Sequence, residues 1–113
     1  MKQKIYVDGS GDGRFCWYNE TRNTSRAYKE VGITNNQAEY LAVYNALLEN
    51  EAELEILSDS KLVVNQLNRN WHIKDDKLRK LFDKVQQVIK KKNLKVVIRW
   101  IKRKENKAGK YLG

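Results

Sequence analysis

The chain has 113 residues, 41% of them hydrophobic, and its 23 Lys and Arg against 14 Asp and Glu leave a formal charge of +9. That length suits a single domain over residues 1–113. The chain has no run of about 18 apolar residues to span a membrane and no apolar stretch after Met1-Lys2-Gln3-Lys4 to act as a leader. Its lone Cys16 has no disulfide partner and no zinc-ligand spacing, so a cytoplasmic protein with no membrane contact is expected. A pI near 9.7 is the footprint of a polyanion binder, nucleic acid before acidic membranes.

Ile5 and Val7 alternate with polar neighbours in a first strand that ends at Asp8-Gly9-Ser10-Gly11. Phe15 and Trp17 mark a second strand, the polar residues 19–25 a hairpin connection, and Ala27 and Val31 a third strand. Helix signals begin at Thr34-Asn35-Asn36, with Asn36 as the expected cap and Glu39 as the acid of a capping box. Residues 38–48 are mostly apolar, so that helix should be deeply buried. Leu54, Ile56 and Leu57 give a strand over 51–58. Asp59 and Ser60 then open a second helix with Leu62, Val63 and Leu67 inside, broken at Asn68-Arg69-Asn70. A third helix starts near Asp75. Its Leu78, Leu81, Phe82, Val85, Val88 and Ile89 recur at core-facing spacing, and it ends in Lys90-Lys91-Lys92, where cations suit the carbonyl end. Val96, Val97, Ile98, Trp100 and Ile101 form a last strand, and residues 106–112 have room for about two helical turns. Three antiparallel strands followed by a helical crossover imply an α/β fold. The expected sheet is mixed and five-stranded, with the fourth and fifth strands parallel to the first and helices on both faces.

Three acids stand at element ends. If the first and fourth strands are parallel neighbours, about 4.8 Å apart, Asp8 and Asp59 meet at the carboxyl edge of the sheet, where open sheets of this kind bind ligands. Glu39, early in the crossover helix, can lean over the same edge. Carboxylates so crowded raise one another's pKa unless a cation sits between them, and a hard divalent ion such as Mg²⁺ suits that place. Two such ions about 3.5–4 Å apart activate a water and stabilise the leaving oxygen of a phosphodiester. Each acid also has a local reading: Asp8 as the start of an Asp-Gly turn, Asp59 as a helix cap, Glu39 as the capping-box acid.

Three segments carry a family resemblance. Tyr6-Val7-Asp8-Gly9-Ser10, Thr34-Asn35-Asn36-Gln37-Ala38-Glu39 and Leu57-Ser58-Asp59-Ser60-Lys61-Leu62-Val63 resemble, in order and separation, the signatures of type 1 ribonucleases H. Residues 62–78, with Gln66, Trp71 and Lys74, are most similar to compact archaeal and bacterial members that lack a basic protrusion between the middle helices. The resemblance implies Mg²⁺- or Mn²⁺-dependent hydrolysis of the RNA strand of an RNA–DNA hybrid by a monomer, with double-stranded RNA as a further candidate partner. It makes Asp8, Glu39 and Asp59 the catalytic metal ligands, and Gly9, Ser10, Asn35, Asn36, Ser60 and Lys61 the substrate contacts. Asparagines at a helix start suit a 2′-hydroxyl presented in a wide, shallow minor groove.

The tail departs from the family. The usual Asn-x-x-Ala-Asp-x-Leu-Ala reads here Asn106-Lys107-Ala108-Gly109-Lys110-Tyr111-Leu112-Gly113. Lys110 replaces the fourth carboxylate in a gap-free reading, and Gly109 replaces it after a one-residue shift. The preceding loop, Lys102-Arg103-Lys104-Glu105, lacks the family's frequent histidine. His72 reads as structural, and Trp71 and Trp100 as core aromatics. The missing acid leaves a second reading open: a hybrid- or duplex-binding domain with weakened or lost catalysis.

Overall fold

A computed structural model describes residues 2–112. These form strands β1 (Lys2–Gly9), β2 (Arg14–Asn19), β3 (Thr24–Lys29), β4 (Glu53–Ser58) and β5 (Lys95–Trp100), and helices α1 (Asn35–Glu49), α2 (Lys61–Leu67) and α3 (Asp76–Lys91). Two 3-10 turns, Arg103–Glu105 and Gly109–Tyr111, follow β5. The sheet order is β3-β2-β1-β4-β5. β1 pairs antiparallel with β2 and parallel with β4, and β5 runs parallel to β4, which is the expected mixed topology.

Alternation along the strands divides the sheet into two faces. Ile5, Val7, Phe15, Trp17, Leu54, Ile56 and Ile98 share one core cluster with residues of all three α-helices. α1 is apolar on most sides because it touches both the sheet and α3. α3 is amphipathic because it covers α1 from outside, burying Leu78, Phe82, Val85 and Val88. Asp75 caps α3 through the amides of Lys77 and Leu78 (2.9 and 3.0 Å). At the far end the Lys92 ammonium donates to the carbonyls of Leu47 and Leu48 (both 2.8 Å), which closes the carbonyl end of α1.

The second face carries its helical cover in a shorter form than the tail's length suggested. Tyr6, Cys16 and Leu57 are covered by Ala108, Tyr111 and Leu112, so the helical cover here is a single 3-10 turn rather than two turns of α-helix. The cause lies in the packing: Ala108 is fully buried and Tyr111 stacks on Tyr18 at 4.8 Å, and a short turn satisfies both. Val31 also departs from its expected strand. β3 stops at Lys29, Gly32 turns the chain at φ 88°, and Val31 is 88% exposed. Trp71 and Trp100 are 49% and 41% exposed, so neither is a core aromatic. The tryptophan of the core is Trp17.

Candidate functional site

The β1–β4 register pairs Tyr6 with Leu57. Two residues on, the same register sets Asp8 level with Asp59 at the carboxyl ends of adjacent parallel strands. Glu39 arrives from the opposite side of the sheet because α1 passes very close to the end of β1. A Cβ on Gly9 would lie 2.6 Å from the Glu39 backbone nitrogen and 2.7 Å from the Ala38 carbonyl carbon, so only glycine allows this approach. Gly9 therefore serves the packing that delivers Glu39. Ligand oxygens of Asp8, Glu39 and Asp59 lie within 4.8 Å of one another.

Two of the local readings fall away. The cap of α1 is Thr34, not Asn36: the Gln37 amide donates to Thr34 Oγ1 (3.2 Å) and the Thr34 amide to Gln37 Oε1 (2.7 Å), so Gln37 rather than Glu39 completes the capping box. Glu39 lies deeper in the helix and is buried (5% exposed). The cap of α2 is Ser60, whose Oγ accepts from the Val63 amide at 3.2 Å, leaving the Asp59 carboxylate free of that task. Asp8 keeps one local bond, from the Gly9 amide to Oδ1 (2.9 Å).

Burial raises the carboxyl of Asp8 to about 6, with the charge of Asp59 adding to the effect and the Gly9 amide and Arg103 opposing it. Burial likewise pushes Glu39 up to about 9, helped by Asp8 and Asp59 and opposed by the Gly9 amide and Arg103. Glu39 Oε1 has no hydrogen-bond partner among the described residues. A buried oxygen without a donor, inside a triad of carboxylates, is an arrangement that a hard divalent cation satisfies. The donor set fits Mg²⁺ or Mn²⁺.

The other expected residues ring this edge. Asn35 is exposed and Asn36 half-buried at the start of α1. Ser10 donates its hydroxyl proton to Asp12, which also holds Arg14. The Lys61 ammonium lies over the ring of Trp100 (4.9 Å to the centroid), and Trp100 Nε1 donates to the Asp59 carbonyl at 3.1 Å. His72 is exposed, and its carbonyl accepts from Gln66 at 3.4 Å.

Lys110 does not stand in the place of a fourth acid. Its ammonium lies over the Tyr111 ring, 5.3 Å from the centroid. A Cβ built on Gly109 instead lies 3.6 Å from Asp8 Oδ2. The gap-free alignment of the tail is thereby corrected by one residue, since the 3-10 turn presents position 109 to the triad. Two site neighbours went unremarked in the sequence. Arg103 supplies positive potential to Asp8 and Glu39, and its only sequence signal was a basic loop. Asn106 Nδ2 donates to Asp59 Oδ2 at 3.0 Å and to the Val7 carbonyl at 2.9 Å. Its signal was the asparagine of the tail motif.

Comparison with known proteins adds family evidence. A family model described as RNase H matches residues 1–109. The uncharacterized protein YpeP of Bacillus subtilis is 31% identical over 119 residues, covering 90% of this chain and 53% of its own. A ribonuclease H of Chlorobaculum parvum is 34% identical over 77 residues, 59% of this chain and 52% of that protein. The chain thus spans about half the length of the curated relatives it matches. Among solved structures, LC11-RNase H1 in complex with an RNA/DNA hybrid superposes with a TM-score of 0.87 at 24% identity, over 97% of this chain and 92% of that one. RNase H1 from the halophilic archaeon Halobacterium salinarum gives 0.87 at 24% identity, over 99% and 94%. At that identity these two likenesses speak for the fold.

Proposed function

The chain belongs to the RNase H family, and from that premise we propose that it is an endonuclease hydrolysing the RNA strand of RNA–DNA hybrids with divalent metal. The observation that carries the reading is the partnerless buried oxygen of Glu39 beside Asp8 and Asp59. These three residues would hold Mg²⁺ or Mn²⁺, two ions with substrate present. Bound there, divalent cations supply an activated water and a counter-charge for the leaving oxygen. Glu39, raised to about 9, keeps a proton at neutral pH in the metal-free protein, so occupying the site requires releasing it.

The remaining residues bind and orient. Asn35 and Asn36 at the start of α1 offer amide donors and acceptors for a minor-groove 2′-hydroxyl. Gly9, Ser10, Ser60 and Lys61 border the same edge and meet the substrate backbone, with Lys61 held by its contact with Trp100. Residues 102–104 add three cations in the segment that follows β5. We read the whole as one cytoplasmic domain that acts as a monomer and also accepts double-stranded RNA as a ligand. Among the described residues no helix is long and apolar enough to cross a membrane.

A second reading, a hybrid-binding domain without cleavage, is favoured by one observation: Gly109 provides no side chain beside Asp8. One assay separates the two. Purified protein with Mn²⁺ or Mg²⁺ is expected to cut a labelled hybrid; binding without cutting at any metal concentration selects the second reading. Binding itself should be insensitive to base sequence. Its affinity should fall by roughly two orders of magnitude between about 50 and 200 mM salt, because backbone contacts release counterions. Titrations by fluorescence anisotropy on three unrelated hybrids check this, and a flat salt response counts against it.

The corrected tail register makes a further prediction. Gly109→Asp should lower the metal concentration for half-maximal cleavage by about tenfold, since each tenfold is about 1.4 kcal/mol and the new carboxylate reaches Asp8. Gly109 has no left-handed φ to resist a side chain. Lys110→Asp, on the side facing Tyr111, should change that concentration by about twofold at most, as exposed charges do. Metal titrations of the three proteins decide the register, and the reverse ranking restores Lys110 to the site.

A further inference from the structure

We propose that Asn106 is a positioning residue that fixes the Asp59 carboxylate, so that docking of the C-terminal turn on the sheet completes the site. The inference rests on the nuclease reading above and extends it to a residue outside the carboxylate triad.

Asn106 uses its whole amide. Both protons of Nδ2 are committed, one to the Val7 carbonyl at the end of β1 (2.9 Å) and one to Asp59 Oδ2 (3.0 Å), and Oδ1 accepts from the Ala108 amide (3.0 Å). Two acceptors on one side and an N–H on the other fix the orientation of the amide. Asp59 is thereby held at both ends, its carbonyl by Trp100 Nε1 (3.1 Å) and its carboxylate by Asn106. Without Asn106 the carboxylate turns freely about its last bond, and each metal-binding event must first order it.

The segment carrying Asn106 is anchored independently of the site. Ala108 is fully buried against Tyr6, Cys16 and Leu57. Cys16 Sγ donates to the Ala108 carbonyl (3.2 Å), Lys107 pairs with Glu20, and Tyr111 stacks on Tyr18. Asn106 enters the site only because this turn is docked on the second face of the sheet.

Asn106→Ser is the specific test. A serine oxygen still accepts from the amide two residues on, preserving the turn, but it is too short to span Val7 and Asp59. Asn106→Gln keeps the amide and serves as the rescue, and Asn106→Ala removes everything. Mn²⁺ affinity is measured on the protein alone by electron paramagnetic resonance of free Mn²⁺, hybrid binding in Ca²⁺, and single-turnover cleavage against Mn²⁺ concentration. Asn106→Ser and Asn106→Ala should bind Mn²⁺ about 10–100-fold more weakly. They should cleave more slowly at low metal, recover part of the rate at high metal, and bind the hybrid like the parent. Asn106→Gln should fall between them and the parent. If Asn106→Ser binds Mn²⁺ like the parent, or if hybrid binding falls in step with metal binding, the positioning role is overturned. A parent that binds Mn²⁺ without cutting sinks the nuclease reading alone and leaves the metal arm to judge Asn106. A parent that binds no Mn²⁺ sinks both.

Discussion

Asp8→Asn and Asp59→Asn should each lower the rate of hybrid cleavage by about 10³-fold or more while leaving the fold and hybrid binding nearly intact. Each substitution keeps the shape of the side chain and removes one of three negative charges around a divalent ion. Two unit charges about 4 Å apart interact by roughly 4 kcal/mol at an effective dielectric near 20, and 4 kcal/mol is about three decades in rate. Oδ1 of Asp8 accepts from the Gly9 amide, and asparagine retains an acceptor there, so the turn survives. Oδ2 of Asp59 accepts from Asn106, and an asparagine carbonyl still accepts there, though more weakly than a carboxylate. Single-turnover cleavage at saturating metal, with circular dichroism and hybrid binding in Ca²⁺ as controls, checks the prediction. Either variant keeping a tenth of the parent rate would show that the triad is not the metal site.

The metal-free protein should lose stability as the pH rises from about 5 to about 9, and divalent metal should restore it at the alkaline end. In the unfolded chain Asp8 and Glu39 ionise near their ordinary values of 3.8 and 4.5, whereas in the folded chain they ionise near 6 and 9. Between those limits the folded state holds protons that the unfolded state has released, so unfolding gains on folding as the pH climbs. Below the ordinary values both states are protonated and the effect vanishes. Each pKa unit is worth about 1.4 kcal/mol and each kcal/mol moves the midpoint of a domain this size by about 4–8 °C, so we expect a fall of more than about 10 °C across the window. Saturating Mn²⁺ should raise the midpoint by a similar amount at pH 8.5 and hardly at all at pH 5, where protons compete for the same oxygens. Glu39→Gln should flatten the pH dependence and abolish the metal response. Thermal unfolding at four pH values, with EDTA or Mn²⁺, gives the answer. A parent midpoint that rises towards pH 9 in EDTA would refute the electrostatic account of the triad.

Much of this architecture was legible in the chain because its signals are periodic or punctual. The alternation of Ile5 and Val7, and the stripe from Leu78 to Ile89, report which faces are buried without knowledge of what buries them. Asp8 and Asp59 were legible because each ends an apolar strand, and parallel pairing then sets them level. Single offsets were harder to read. Asn36 with Glu39 and Thr34 with Gln37 both satisfy the capping-box spacing, and the reciprocal bonds of Thr34 and Gln37 decide between them. Gly109 against Lys110 is the same kind of one-residue ambiguity, resolved by the docking of Ala108 and Tyr111. Trp71 and Trp100 misled for another reason. An aromatic side chain declares apolar area but not its side of the chain; Trp100 ends β5 and Trp71 lies in the loop between α2 and α3, and each is nearly half exposed. Arg103 and Asn106, distant in sequence from Asp8, carried only weak signals, a basic loop and the asparagine of the tail motif, and tertiary packing alone shows that they reach the acids.

That last distance has a consequence for how the molecule comes into being. The Asn106–Val7 bond joins residues 99 apart, and the Cys16–Ala108 bond residues 92 apart. The antiparallel start of the sheet pairs neighbouring chain, whereas those two bonds need the chain as far as residue 108 to have been made. Closing so long a loop costs more chain entropy than closing a hairpin. A chain made only as far as the end of β5 has the strands of the sheet and the three acids but lacks the Asn106 amide on Asp59. Such a chain would lack the contact that orders its reactive end.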